Sequence, residues 1–256
     1  MFINHNYSEE PLLFICAKNK NYFMLEFLLR NNVDINTRFR NEYVLTLLIK
    51  NSCQSDFVKK LIINHNANIN ICDSENNHFI FLLIKYKYFN ILYYICQNKN
   101  NEINLNMNDK DQNPLLLAII DSNLIDLALY LINLGTNINC FNNRGDPLIF
   151  KLIKDKKINI SNILIDTNKV NLKCKNKFTN MSLFELLVQE NIYTLVKKLL
   201  EITDFIIPNT IISEYSLIEI AARNNNTLIL HKLILYECST MIQKMFRAYI
   251  VRKHIF

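Results

Sequence analysis

In 256 residues the chain has no tryptophan, four prolines and only two glycines, Gly135 and Gly145. A phosphate-cradling loop or a dinucleotide fingerprint needs clustered glycines so that the backbone can approach phosphate closely, and two separated glycines build neither. The five histidines, His5, His65, His78, His231 and His254, never take an H-E-x-x-H spacing, and no serine occupies a G-x-S-x-G elbow. The seven cysteines are odd in number, scattered and without a C-x-x-C pair, which argues against a disulfide framework or a zinc site and fits a reducing compartment. No apolar run approaches the length of a membrane span, and Glu9 and Glu10 stand where a signal peptide would be apolar. These absences point to a non-enzymatic protein with no cofactor and no metal, placed in the cytosol or nucleus.

What the chain does have is a refrain. Asp34-Ile35-Asn36 returns as Asn68-Ile69-Asn70, Glu102-Ile103-Asn104, Asn137-Ile138-Asn139 and Lys169-Val170-Asn171, with the last Asn recurring after 34, 34, 35 and 32 residues. That period belongs to stacked helical repeats rather than to a single globular core. Half of the residues are hydrophobic, enough for a continuous core in which each repeat touches only its neighbours. The heavy use of Asn, Ile and Lys reads as the codon bias of an AT-rich genome, as in a protist, an intracellular bacterium or a large DNA virus.

Between the refrains two apolar helices recur. Pro11-Leu12-Leu13-Phe14-Ile15-Cys16-Ala17, Asn113-Pro114-Leu115-Leu116-Leu117-Ala118, Asp146-Pro147-Leu148-Ile149-Phe150 and Ser216-Leu217-Ile218-Glu219-Ile220-Ala221-Ala222 open a first helix, with Pro suited to the first turn where that residue is present. A second apolar helix follows at 24–29, 57–63, 91–95, 124–132, 160–165, 193–200 and 228–235. With Asn142-Asn143-Arg144-Gly145-Asp146-Pro147-Leu148 as a loop and Leu134-Gly135-Thr136-Asn137-Ile138-Asn139 as a repeat end, the series resembles ankyrin repeats. About seven degenerate repeats span roughly 8–237. The resemblance implies an all-α solenoid of helix-turn-helix units joined by hairpin loops over 1–237, with 238–256 as a separate C-terminal helix. The family's turn glycines fall on or near Asn32, Asn66, Asn123 and Asn191, and Asn is the substitute that best tolerates positive φ.

In proteins of this kind the loop tips and first helices line a concave face that grips a partner protein. The tip residues Arg38, Phe39, Arg40, Asp73, Glu75, Asp109, Asp111, Phe141, Arg144, Lys173, Lys175 and Lys177 are therefore the candidate partner-binding set. Their charges run basic, acidic, acidic, basic, basic, a pattern able to select a partner by complementarity. Phe39 and Phe141, each close to an Arg, are expected to be exposed anchors. The alternative is that the charges solvate the hairpins and the rings fold back onto the stack. Asn36, Asn70, Asn139 and Asn171 sit where the resemblance implies targets of asparaginyl hydroxylation, each with Leu or Ile eight residues earlier. The competing role for these Asn side chains is to satisfy loop backbone groups.

The tail adds a second feature. Ile242-Gln243-Lys244-Met245-Phe246-Arg247-Ala248-Tyr249-Ile250-Val251-Arg252-Lys253-His254-Ile255 resembles the IQ motif, with Ala248 where the pattern has Gly. The resemblance makes Ile242, Gln243, Phe246, Arg247, Arg252 and Ile255 candidate contacts for calmodulin or another EF-hand light chain. Its basic amphipathic pattern also suits a cap on the last repeat or a helix lying on an anionic membrane surface. Four of the six net positive charges, Lys244, Arg247, Arg252 and Lys253, lie beyond Glu237, leaving +2 for the repeats, too little for a general nucleic-acid track, so no specific nucleic acid is expected. The reading is thus a protein–protein interaction scaffold. The alternative within the same fold is an adaptor that presents targets to machinery such as a ubiquitin ligase.

Overall fold

A computed structural model of the chain describes residues 10–202 and 217–236. Among these residues the backbone forms seven helix pairs. The first four are α1 (Leu12–Lys18) with α2 (Tyr22–Arg30), α3 (Val44–Lys50) with α4 (Ser55–Asn64), α5 (Phe79–Lys85) with α6 (Phe89–Asn98), and α7 (Leu115–Asp121) with α8 (Ile125–Asn133). Then come α9 (Leu148–Lys154) with α10 (Ile158–Asp166), α11 (Leu183–Gln189) with α12 (Tyr193–Glu201), and α13 (Leu217–Arg223) with a helical run over 227–236. No helix among the described residues is long and apolar enough to cross a membrane.

Two compact units, Met1–Asn137 and Ile138–Phe256, divide the chain. In the first, α1 packs on α3, α3 on α5 and α5 on α7, while α4 also packs on α6. In the second, α9 packs on α11 and α11 on α13. First helices thus form the continuous spine of each unit, and their residues show it: Val44, Leu48, Ile49, Phe79, Leu83, Leu115, Phe150, Leu183, Phe184 and Leu187 are fully buried. Burying a side chain of this size contributes roughly 1.5–3 kcal/mol each, and second-helix residues such as Leu25, Val58, Ile91, Leu127 and Leu195 are buried as fully.

The turns need left-handed backbone at three recurring places. Between the helices of a pair it falls on Lys20, Ser52, Lys87, Asn123, Lys156, Asn191 and Asn225; after the second helix on Asn32, Asn66, Gly135 and Asn168; in the hairpin on Arg40, Asn41, Asn76, Gln112, Gly145 and Asn180. The expected Asn32, Asn66, Asn123 and Asn191 have φ of 62°, 50°, 61° and 62°. Lysine and serine taking the same role was not expected, because a Cβ at positive φ costs about 1–2 kcal/mol without the local hydrogen bonding that Asn offers. Hairpins join the pairs. β1 (Arg38–Phe39) and β2 (Glu42–Tyr43) are antiparallel, and single bridges close the later loops between Cys72 and His78, Asn108 and Pro114, Phe141 and Pro147, and Lys175 and Ser182.

Candidate functional site

One Asx side chain builds each of the later hairpin tips. Asp73 Oδ1 accepts the N–H groups of Glu75 and Asn77 at 3.0 and 2.8 Å, and Asp109 Oδ1 accepts those of Asp111 and Asn113 at 2.9 and 2.7 Å. Asn142 Oδ1 accepts from Arg144 and Asp146, both at 2.9 Å, and Asn176 Oδ1 from Phe178 and Thr179, both at 2.8 Å. This corrects two of the expected partner contacts. Asp73 is buried and Asp109 half-buried, and their oxygens are turned inward onto the loop backbone, where a short carboxylate is the natural Asx-turn acceptor.

A second device, absent from the sequence reading, ties the tips to the spine. Three acids placed just before a first helix pair with the lysine eight residues on, in that helix's last turn: Glu10 with Lys18, Glu42 with Lys50, and Asp146 with Lys154. Lys50 Nζ lies 3.1 Å from Glu42 Oε2 and 2.9 Å from Asp73 Oδ2, so it also grips the next tip. Burial raises the Glu42 and Asp73 carboxyls, but hydrogen bonds to Glu42 from Thr46, Ser74 and Lys50, and to Asp73 from Asn77 and Lys50, outweigh it and hold both below the usual range. At the second place Asn176 Nδ2 takes over the cross-tip role, donating to Asp146 Oδ1 at 2.7 Å. The i,i+8 acid–lysine spacing was the available signal for this arrangement.

The two candidate aromatic anchors do not stand out from the tips. Phe39 is half-buried, edge-on to the fully buried Phe14 with ring centroids 5.6 Å apart, and the Arg40 guanidinium lies over it at 5.1 Å. Phe141 is also half-buried and carries the Lys177 ammonium at 4.1 Å, not Arg144. The expectation of exposed rings fails because each lies beside residues of a neighbouring repeat, Phe14 for one and Lys177 for the other. Arg38, Arg40, Glu75, Asp111, Arg144, Lys173 and Lys177 are exposed and Lys175 half-buried. Within the first unit the tips are linked in series: Ser74 N–H donates to Glu42 Oε2, and the Lys110 ammonium lies 4.0 Å from Glu75. In the second unit Lys177 N–H donates to Gly145 O at 2.9 Å, and Asn176 Nδ2 to Arg144 O at 3.2 Å. The exposed ring among these tips is one the sequence reading passed over, Phe178, at 74% exposure.

The refrain asparagines link successive repeats. Asn36 Oδ1 accepts from Asn68 N–H at 2.7 Å and its Nδ2 donates to Asn66 O; Asn70 Nδ2 donates to Glu102 O at 2.7 Å. Asn139 Nδ2 donates to Lys169 O at 2.9 Å and its Oδ1 accepts from Asn171 N–H at 2.8 Å, whereas Asn171 Oδ1, among the described residues, accepts the local Lys173 N–H. Cys96 is buried among apolar groups, which pushes its thiol up to about 12, so at neutral pH it is an inert core residue. No group of three or more His, Cys, Asp or Glu among the described residues could hold a metal ion. The tail candidates Ile242, Gln243, Phe246, Arg247, Arg252 and Ile255 lie outside the described residues.

Solved structures give this arrangement of helix pairs and hairpins a precedent. The chain is similar to the ankyrin repeat domain of Bcl-3, a member of the IkappaB protein family, with a TM-score of 0.58 and 12% identity over 73% of this chain and 86% of that one. It is also similar to a chain in the structure of Bd0816, a predatory endopeptidase from Bdellovibrio bacteriovorus, in complex with the immunity protein Bd3460: TM-score 0.57, 14% identity, 74% of this chain and 97% of that one. No protein-family model matches the sequence, and no curated protein matches it. At these identities the likeness establishes the fold, an all-α stack of ankyrin-type repeats.

Proposed function

We propose that the chain is a non-enzymatic scaffold that binds a partner protein through its hairpin tips and the adjoining outward faces of its first helices. The observation that carries this reading is the division of labour at the tips. Asx oxygens and acid–lysine pairs spend one set of polar groups on holding the later tips rigid, while Arg38, Arg40, Arg144 and Lys177 remain exposed. Rigid loops presenting unspent charge are what a recognition surface needs, because little ordering entropy is then lost on binding. The partner named in the Bd0816 complex structure is a protein, in keeping with such a role.

A second reading concerns the tail: the IQ-like sequence from Ile242 to Ile255 takes calmodulin or a related light chain. Capture from extract of the native host, with full-length chain and 1–237 as baits, tests both. The scaffold reading expects a protein partner retained by both baits and lost on Arg144→Glu/Lys177→Glu, with unchanged circular dichroism. A partner indifferent to the tips overturns it. The tail reading expects heat on titrating calmodulin into the full chain and none with 1–237, and silence with both, with or without calcium, removes it.

A further inference from the structure

Phe178 occupies an unusual position for a large ring. It is 74% exposed, yet one edge of the ring contacts its neighbour: a Cβ placed on Gly145 would lie 2.9 Å from Phe178 Cδ2 and Cε2, so the ring approaches the glycine of the neighbouring tip closely. The two tips are locked together by Lys177 N–H to Gly145 O, Asn176 Nδ2 to Arg144 O and Asn176 Nδ2 to Asp146 Oδ1. A glycine, here with φ of +67°, leaves room for this close approach. Arg144 belongs to one of these two hairpins and Lys173, Lys175 and Lys177 to the other, while the acid of this pair of tips, Asp146, is buried and paired with Lys154. A preorganised aromatic knob within uncompensated positive charge results.

We propose that these paired tips of the second unit dock an acidic, unstructured protein segment in which one apolar side chain sits among carboxylates. The apolar group covers Phe178, and the carboxylates take Arg144, Lys173 and Lys175. This rests on the scaffold reading and adds to it the chemistry of the partner. A single-stranded nucleic acid fits less well, since it requires successive stacking rings along a basic groove and the described tips offer one exposed ring.

The probe is a short fluorescein-labelled peptide with one phenylalanine flanked on both sides by glutamates, titrated by anisotropy into the full chain. Saturable binding is expected. Phe178→Ser should weaken it about tenfold while leaving the melting temperature unchanged, because the ring buries little. Glutamine in place of the glutamates, or salt raised from about 50 to 300 mM, should weaken it several-fold. No binding by about 1 mM peptide, or equal affinity for Phe178→Ser, overturns the proposal. Tighter binding of oligodeoxythymidine that is lost with the same variant overturns it in favour of nucleic acid. A host partner that full-length chain and Phe178→Ser capture equally well sinks this proposal and leaves the scaffold reading standing.

Discussion

His78 caps α5 with an imidazole where serine, aspartate or asparagine is usual: its Nδ1 accepts the Ile80 N–H at 3.3 Å. That nitrogen accepts only while unprotonated, and burial holds the folded pKa below the ordinary 6.5. As pH falls the unfolded chain therefore takes the proton first. The cap's contribution is complete above about pH 6.5 and is lost progressively from there down to the lower folded value. His78→Asn keeps an acceptor that does not titrate. Between pH 7 and 5 the melting temperature of wild type should fall more steeply than that of the variant, and parallel profiles from calorimetry would show that the imidazole does not titrate as the cap.

At the scale of elements, the refrain asparagines stitch one repeat end to the next. The Asn139 side chain makes two inter-repeat bonds, to Lys169 O and from Asn171 N–H, whereas the Asn171 side chain makes one local bond among the described residues. These bonds are exposed, so water recovers part of their loss. Asn139→Ala should cost about 1 kcal/mol in urea unfolding, and Asn171→Ala distinctly less. Equal costs would mean that the bridge adds nothing. The refrain itself was legible in the sequence, as were the seven helix pairs and the left-handed turns at Asn32, Asn66, Asn123 and Asn191, because each depends on residues close in the chain. Ring exposure was not legible. Phe39 is covered by Phe14 from the repeat before it, whereas Phe178 is held in the open by Gly145 of the tip before it, so in both cases a residue one repeat away decides. Asp73 looked like a free tip charge for the same reason: Lys50, which pairs with it, is distant in sequence and near in the stack.

At the largest scale, stability within each unit is a chain of neighbour-to-neighbour terms rather than one core. Leu83 in α5 is fully buried where α5 packs on α3 and α7, so Leu83→Ala should cost roughly 2–5 kcal/mol. Amide exchange should quicken most in α3, α5 and α7 and less in α1, while a uniform change across the first unit would indicate that it unfolds as one cooperative body. The scarcity of glycine bears on the other side of that equilibrium. Fifteen described non-glycine residues sit at positive φ, each storing some backbone strain when folded. Those same side chains restrict the disordered ensemble, which glycine at every turn would have enlarged, so the chain has fewer conformations to give up on folding. Its turns are costlier in the native state and less costly to reach, and an Asn-built solenoid of this kind trades native comfort for a stiffer denatured chain.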